Sequence, residues 1–335
     1  MNRRQFLYVS SAAGFSPLTG CGGGHYDFEL LNVSYDPTRE LYRKLNHAFA
    51  ACYRREHGKT VRVRQSHGGS GSQARAVGDG LPADVVTLAM WADVDALRAK
   101  QLIADGWERR LPNRSLPYIS TIVFVVRRGN PFGITDWPDL LKPGVRVITA
   151  NPKTGGGAKL ALLGAWLDVL HRGGSAGDAR AFVTELYRRV PVLDTGARGS
   201  TVTFARKNIG DVHLTWENEA ELEKRELKDE VEVVRPPVSV RAEPHVAVVD
   251  ANVDRKGTRH PAEAYLRFIS TDPAARAIIS SLHFRLDDPT PGDGTRPHAL
   301  LRATDPAFGL GDWTAIQNRF FSEGGEFDRI YRAGH

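Results

Sequence analysis

Three glycines in a row, Gly155, Gly156 and Gly157, stand directly before a mainly apolar run in the stretch NPKTGGGAKLALLGAW. Ser70 lies in a second glycine-rich stretch, SHGGSGSQAR. Asp36 opens the turn in SYDPTRE, Ala197 sits inside DTGARGSTVTF, and Trp216 ends VHLTW. The four loop stretches each follow a strand-like run and lead into a helix-like one. At such a junction the first helical turn presents backbone N–H groups without partners in the helix. Those groups carry partial positive charge and suit an anion. Glycine lets the backbone come close to a ligand. In open α/β sheets, ligands gather at the carboxyl ends of strands. The chemistry in view is capture of an anion by neutral donors.

Catalytic motifs fit poorly. A phosphate loop needs a hydroxyl residue after its lysine, and Leu160 follows Lys159. A dinucleotide fingerprint would need glycine where Leu160 stands. GGSGS misses the nucleophile elbow because Ser72 takes the last glycine position. Ser70 as a nucleophile needs a positioned base. His67, three residues away across a turn, does not make a triad. An exported serine hydrolase using Ser70 is therefore the lesser alternative. The histidines show no metal spacing such as H-E-x-x-H, and C-x-x-C is absent. No catalytic residue, metal or cofactor is expected.

The elements that must position these loops read as α/β. FELLNVSYD is a short buried strand, and residues 37–58 form a helix with Pro37 near its start and Gly58 past its end. TVRVRQS alternates as a strand does, ADVVTLAM is a buried strand, and ADVDALRAKQLI is a helix. This β-α-β-α-β-α rhythm predicts a mostly parallel sheet with helices on its faces. A second such block starts at the long apolar strand YISTIVFVVRRGNP. VEVVRPPVSVRAEPHVAVVD reads as two strand-like runs parted by Pro236 and Pro237, crossing back to the first block. The organisation expected is a first lobe of residues 28–117 plus 241–300, a second lobe of 118–240, and a C-terminal helical segment, 301–335. That last segment closes with a helix packed on the body.

Residues 1–21 read as an export signal: Arg3 and Arg4, a short apolar middle, and Leu18-Thr19-Gly20-Cys21 at the cut. The apolar part is too short for a membrane span of about 20 residues. RRQFL resembles a twin-arginine signal and LTGC a bacterial lipobox, which implies lipidation at Cys21 and a glycine tether over 22–27. Cys52, the remaining cysteine, falls on an apolar helical stripe and reads as an inert core residue. The net charge is +6, yet Lys and Arg alternate with Asp and Glu, so no track for nucleic acid is present.

LLNVSYDPTRELY, RQSHGGSGSQARAV, DGLPADVVTLA, STIVFVVRRGNP, PVLDTGARGSTVTF, WENEA and EPHVAVVD, taken together and in order, resemble the periplasmic sulfate-binding proteins of bacterial ABC importers. The resemblance implies a two-lobed, type II periplasmic binding fold. Each lobe would be a mixed, mostly parallel sheet flanked by helices, with the ligand cleft at the hinge. It implies a monomeric binder in the periplasm or cell envelope that hands sulfate to a membrane permease. It places sulfate contacts on Asp36, Ser70, Gly156, Gly157, Ala197 and Trp216. Most donate through backbone N–H; Ser70 adds its hydroxyl and Trp216 its indole N–H. Asp36 would turn its backbone, not its carboxylate, to the ligand. At Gly155 the family has a serine whose hydroxyl donates, so weaker binding, a shifted oxyanion preference or rescue by water are the outcomes there. A glycine at this position could instead expose one more backbone N–H. Lys153, Lys159 and Arg198, near these loops, are expected to act at a distance, by steering the anion or by supporting the loops from behind. Thiosulfate, molybdate and phosphate remain alternative ligands.

Overall fold

The computed structural model describes residues 26–287 and 299–334. The export signal, Cys21 and most of the tether lie outside the described residues, as does the greater part of the loop over 287–297. The chain runs through β1 (Phe28–Tyr35), α1 (Arg39–His57), β2 (Val61–Gly68), α2 (Ser70–Gly78), β3 (Val85–Leu88), α3 (Trp91–Ala99) and the single turn α4 (Pro112–Ser115). It continues with β4 (Ser120–Arg127), β5 (Val147–Ala150), α5 (Gly156–His171), α6 (Ala176–Arg188), β6 (Leu193–Asp194), α7 (Ala197–Thr201), β7 (Val212–Trp216) and α8 (Glu217–Leu227). The remainder is β8 (Val231–Val234), β9 (Val238–Ala242), β10 (His245–Val248), α9 (Asp250–Lys256), α10 (Arg259–Thr271), α11 (Pro273–Ser281), β11 (Ala299–Leu301), α12 (Trp313–Ile316) and α13 (Glu326–Gly334).

Local chemistry explains the main elements. Gly58 ends α1 in the left-handed region, with φ 65°, and its N–H closes on Arg54 O. Cys52 is buried on the inner stripe of α1, and burial pushes its thiol pKa up, as suits an inert residue. β4 is apolar from Ile122 to Val126 because both its faces are covered there. Ile122, Phe124 and Val126 join one core with α5, while Val123 and Val125 join another with Ala220 of α8. Alternate side chains of a strand point to opposite faces, so two-sided burial erases the polar half of the pattern.

The first sheet has the order β10-β3-β1-β2, with β1 parallel to β2 and β3, and β10 antiparallel to β3. The second has the order β11-β9-β4-β7-β5-β6, with β8 also on β4. Here β4 runs antiparallel to β7, β8 and β9, while β5 is parallel to β6 and β7. The second sheet is thus more evenly mixed than the rhythm of the sequence implies.

Two details differ from expectation. The segment 231–250 forms three strands, not two. β8 pairs with Phe124–Arg127 and β9 with Ser120 and Thr121, along the same edge of β4. Pro236 and Pro237 part them because proline has no N–H for the ladder. The crossing to the first sheet comes later, between Ala242 and His245. Residues 241–242 and, by β11 pairing with β9, residues 299–300 therefore join the second sheet. The C-terminal segment is two helical pieces, not one helix. Gly324, at φ 69°, turns the chain before α13. Phe320 meets Trp166 edge-on at 4.9 Å and Phe327 meets Tyr187 at 5.4 Å, so this segment packs on α5 and α6.

Candidate functional site

The carboxyl ends of β1, β2, β5 and β7, with the start of α7, converge on one small cavity of about 20 Å³. Asp36, Ser70, Gly155, Gly156, Gly157, Ala197 and Trp216 all line it. The sequence reading thus named residues that the fold brings together from both sheets. Ser70 starts α2, Gly156 starts α5 and Ala197 starts α7, so their N–H groups belong to first helical turns.

The glycines permit the approach of the two sheets. A Cβ on Gly156 would stand 2.5 Å from Ala89 Cβ and 3.2 Å from Ser70 Cβ, across the junction. Tyr35, Ala89 and Met90, from the first sheet and its loops, join the second sheet's core. Gly155 differs from its neighbours. A Cβ there would meet Ala150 Cβ and Asn151 O at 3.5 Å, an ordinary contact, and its φ of −106° suits any residue. Its own N–H donates to Asn151 O at 2.9 Å, so the glycine does not add a free backbone donor.

Trp216 is set at the end of β7 with its ring 5.2 Å from that of Tyr35. The next residue, Glu217, is gripped by Arg285 through two hydrogen bonds, at 2.6 and 2.7 Å, and by Arg235 at 3.2 Å. This bidentate grip fixes the backbone behind the indole.

Among the described residues that line the cavity, Asp36 alone carries a formal charge. Arg39 Nη2 donates to its Oδ1 at 3.0 Å. Ser70 departs from expectation. Its hydroxyl donates to Asp93 Oδ2 at 2.5 Å and accepts from Ala89 N–H at 3.0 Å, which leaves its backbone N–H as the donor for the cavity. His67 stands apart from Ser70, and burial with the nearby Arg39 pushes its pKa down to about 4. Ser70 thus has a carboxylate partner and no imidazole base.

Of the two roles expected for the nearby cations, steering or support from behind, Lys159 takes the second, through Asp93 to Ser70. Lys159 is buried and donates to Asp93 Oδ1 and to Gln317 Oε1, each at 3.1 Å. It ties α5 to α3 instead of facing the cavity. Lys153 donates to Ser322 O and to Asp328 Oδ2, at 2.8 and 2.9 Å, holding the C-terminal segment. Arg198 is exposed and lines a neighbouring crevice with Glu219. Burial pushes Glu219 up to about 8, against the opposing pull of Arg198.

Sequence reasoning missed Thr149, Ser200 and Thr215, which also line the cavity. Thr149 Oγ1 and Thr215 Oγ1 are buried without a protein partner among the described residues. Thr149 stands next to last in its strand, so the strand-end rule pointed at it; Ser200, three residues into a loop helix, carried no local signal. Among the described residues no cluster of His, Cys, Asp and Glu suits a metal ion. No described helix is long and apolar enough to cross a membrane.

Comparison with known proteins agrees with this architecture. The profile of a family described as bacterial extracellular solute-binding protein matches residues 31–285. The chain is 50% identical over 309 residues to a sulfate-binding protein of Escherichia coli K12, covering 91% of this chain and 93% of that one. It is 45% identical over 315 residues to a thiosulfate-binding protein of Pseudomonas aeruginosa, covering 92% and 94%. Among solved structures it superposes on the sulfate-binding protein SubI of Mycobacterium tuberculosis with a TM-score of 0.77 at 29% identity, over 88% of this chain and all of that one.

Proposed function

We propose the function from one premise: this chain belongs to the bacterial extracellular solute-binding protein family. It is a transport-associated binder and not an enzyme. Its ligand is sulfate, captured outside the cytoplasmic membrane and delivered to an ABC permease. The observation that carries this reading is a small cavity lined by neutral donors from both sheets, with no lysine or arginine lining it among the described residues.

Sulfate is a dianion that only accepts hydrogen bonds. Backbone N–H groups of Ser70, Gly156, Gly157 and Ala197, with the indole N–H of Trp216, supply donors to it. Many partial charges spread the stabilisation, and a dry site strengthens each one. Hydrogen phosphate carries a proton that needs an acceptor. With Asp36 turning its backbone and not its carboxylate to the anion, its Oδ1 held by Arg39, that proton finds no acceptor, which disfavours phosphate. Closure of two lobes, hinged near residues 117 and 243, excludes water and creates the shape a permease reads.

Thiosulfate is the second reading, favoured by the Pseudomonas relative and by the absence of a side chain at Gly155. Sulfate is favoured over it by the Escherichia coli relative at 50% identity. We also read the chain as a monomer held at the membrane by a lipid on Cys21, exported by the twin-arginine route. Calorimetric titration of the purified chain with sulfate, thiosulfate, molybdate and phosphate tests the ligand. Tight binding of sulfate alone is expected. Preference for another anion, or no binding, would overturn the sulfate reading.

A further inference from the structure

The cavity takes the carboxyl ends of the strands, and the opposite end of the first sheet has a chemistry of its own. There α1 stops at Gly58, and Lys59 and Thr60 lead into β2. β1 begins beside them, with Phe28 N–H donating to Thr60 O at 3.1 Å. Arg54, Arg55, Lys59, Arg62 and Arg64 are exposed at or next to this end. Lys59 Nζ lies over the Phe28 ring, 5.3 Å from its centre, and Arg62 lies over the exposed Tyr26 ring at 5.8 Å.

Three carboxylates share this face, and each is engaged. Asp27 accepts from the Thr60 N–H and hydroxyl, both at 2.7 Å. Glu56 accepts from the Cys52 thiol at 3.0 Å and lies 3.4 Å from Arg55. Glu29 lies 3.2 Å from Arg64 and 3.8 Å from Arg62. Arg54 and Lys59 have no ion-pair partner among the described residues. The face therefore keeps an excess of positive charge. A solvated surface cation by itself says little. What sets these apart is their position in the chain. Cys21, the residue read as lipid-bearing, precedes Tyr26 by five positions, a length that spans at most about 18 Å. A lipid there would hold this end of the protein within about two Debye lengths of the bilayer at physiological salt. At such distances an anionic headgroup layer attracts Lys and Arg. Tyr26, with an apolar ring and a polar tip, suits the same layer.

We propose that this end of the first sheet, with Arg54, Arg55, Lys59, Arg62 and Arg64, is a docking surface for anionic phospholipid. It rests on the reading of Cys21 as a lipid anchor. The anchor supplies a high local concentration, and the cations fix which face of the protein meets the membrane. β1 runs roughly 23 Å from this face to the cavity. Lipid held at one end therefore leaves the anion site at the other end free.

The test is cosedimentation of the purified chain, without lipid on Cys21, with mixed vesicles of phosphatidylglycerol and phosphatidylcholine and with vesicles of phosphatidylcholine alone. Binding to the mixed vesicles that weakens with salt, and none to phosphatidylcholine alone, is expected. Arg54→Gln with Lys59→Gln and Arg62→Gln is expected to lower the affinity for the mixed vesicles about ten- to a hundredfold. Arg128→Gln with Arg206→Gln and Lys207→Gln removes the same charge from exposed positions around the second sheet, and should leave vesicle binding unchanged. All six side chains are exposed, so both variants should keep the wild-type affinity for sulfate. Equal loss in the two variants, or binding that ignores anionic lipid, overturns the proposal. Attachment to native membrane vesicles that needs Arg54, Lys59 and Arg62 but vanishes when the vesicle proteins are digested assigns the face to a protein and also overturns it. Absence of vesicle binding while mass spectrometry finds a lipid on Cys21 sinks this inference alone, whereas an unmodified Cys21 in the chain from bacterial cells removes the anchor reading beneath it.

Discussion

The indole of Trp216 occupies the space that a side chain on Gly157 would need. A Cβ built on Gly157 would stand 3.0 Å from both Cδ1 and Cε2 of that ring, and closer still to Nε1. The two residues are joined by fit: the glycine at the second position of α5 makes room for the one side-chain donor assigned to the anion. Gly157→Ala is therefore expected to push the indole aside. A hydrogen bond to a charged group is worth about 1.5–3 kcal/mol, so sulfate affinity should fall about ten- to a hundredfold. Calorimetry on the folded variant checks this, and unchanged affinity would remove Trp216 from the site.

Gly155 gives the opposite expectation. The space around it accepts a Cβ and its backbone suits an N-cap residue. Serine there adds a hydroxyl at a helix start, where serine is favoured over glycine by a few tenths of a kcal/mol. Gly155→Ser is expected to bind sulfate about tenfold more tightly and to melt slightly higher. Equal or weaker affinity for the serine form would show that the hydroxyl has no path to the ligand.

Lys159 and Asp93 form a buried pair linking α5 to α3, with Ser70 on the other oxygen of Asp93. Removing one partner of such a pair leaves an unpaired buried charge, at a cost of about 3–5 kcal/mol. Lys159→Met is expected to lower the melting temperature clearly, and Lys159→Met with Asp93→Asn to recover most of the loss. Sulfate binding should be weakened in the single variant but should survive in both. A folded Lys159→Met chain that fails to bind sulfate at any salt concentration would contradict capture by neutral donors.

Glu219 sets a pH dependence of stability. Its pKa is about 8 in the folded protein against an ordinary value of 4.5. Between those values the folded state keeps a proton that the unfolded chain has released. The contribution is complete below pH 4.5 and is lost as pH rises through 8. Glu219→Gln imitates the protonated form. It should melt with the wild type near pH 4.5 and above it at about pH 9. Equal melting curves at both would show that Glu219 is not held neutral.

Much of the site was legible because its donors are backbone groups. A strand, a glycine and a helix start are local features, and SHGGSGSQAR or NPKTGGGAK announces them within ten residues. Partners of side chains were not legible. Ser70 and Asp93 are 23 positions apart, and Lys159 and Asp93 are 66 apart. Nothing in either stretch states that Ser70 spends its proton on Asp93, or that Lys159 turns away from the anion. The strand count over 231–250 failed for a related reason: Pro236 and Pro237 marked a break, but only the edge of β4 decided that strands on both sides of it would share one neighbour.

By itself, the sequence determined the order of strands and helices, the glycine-rich junctions between them, and hence a set of helix N-termini able to hold an anion. These follow from short-range rules of backbone sterics and periodicity. The tertiary structure decided that four strand ends meet at one cavity, that Trp216 closes over Gly157, and that Lys159 and His213 stand behind the site with buried carboxylates. Those outcomes depend on which distant side chains share a dry interior. There, every charge and hydroxyl must find a partner wherever the chain happens to bring one.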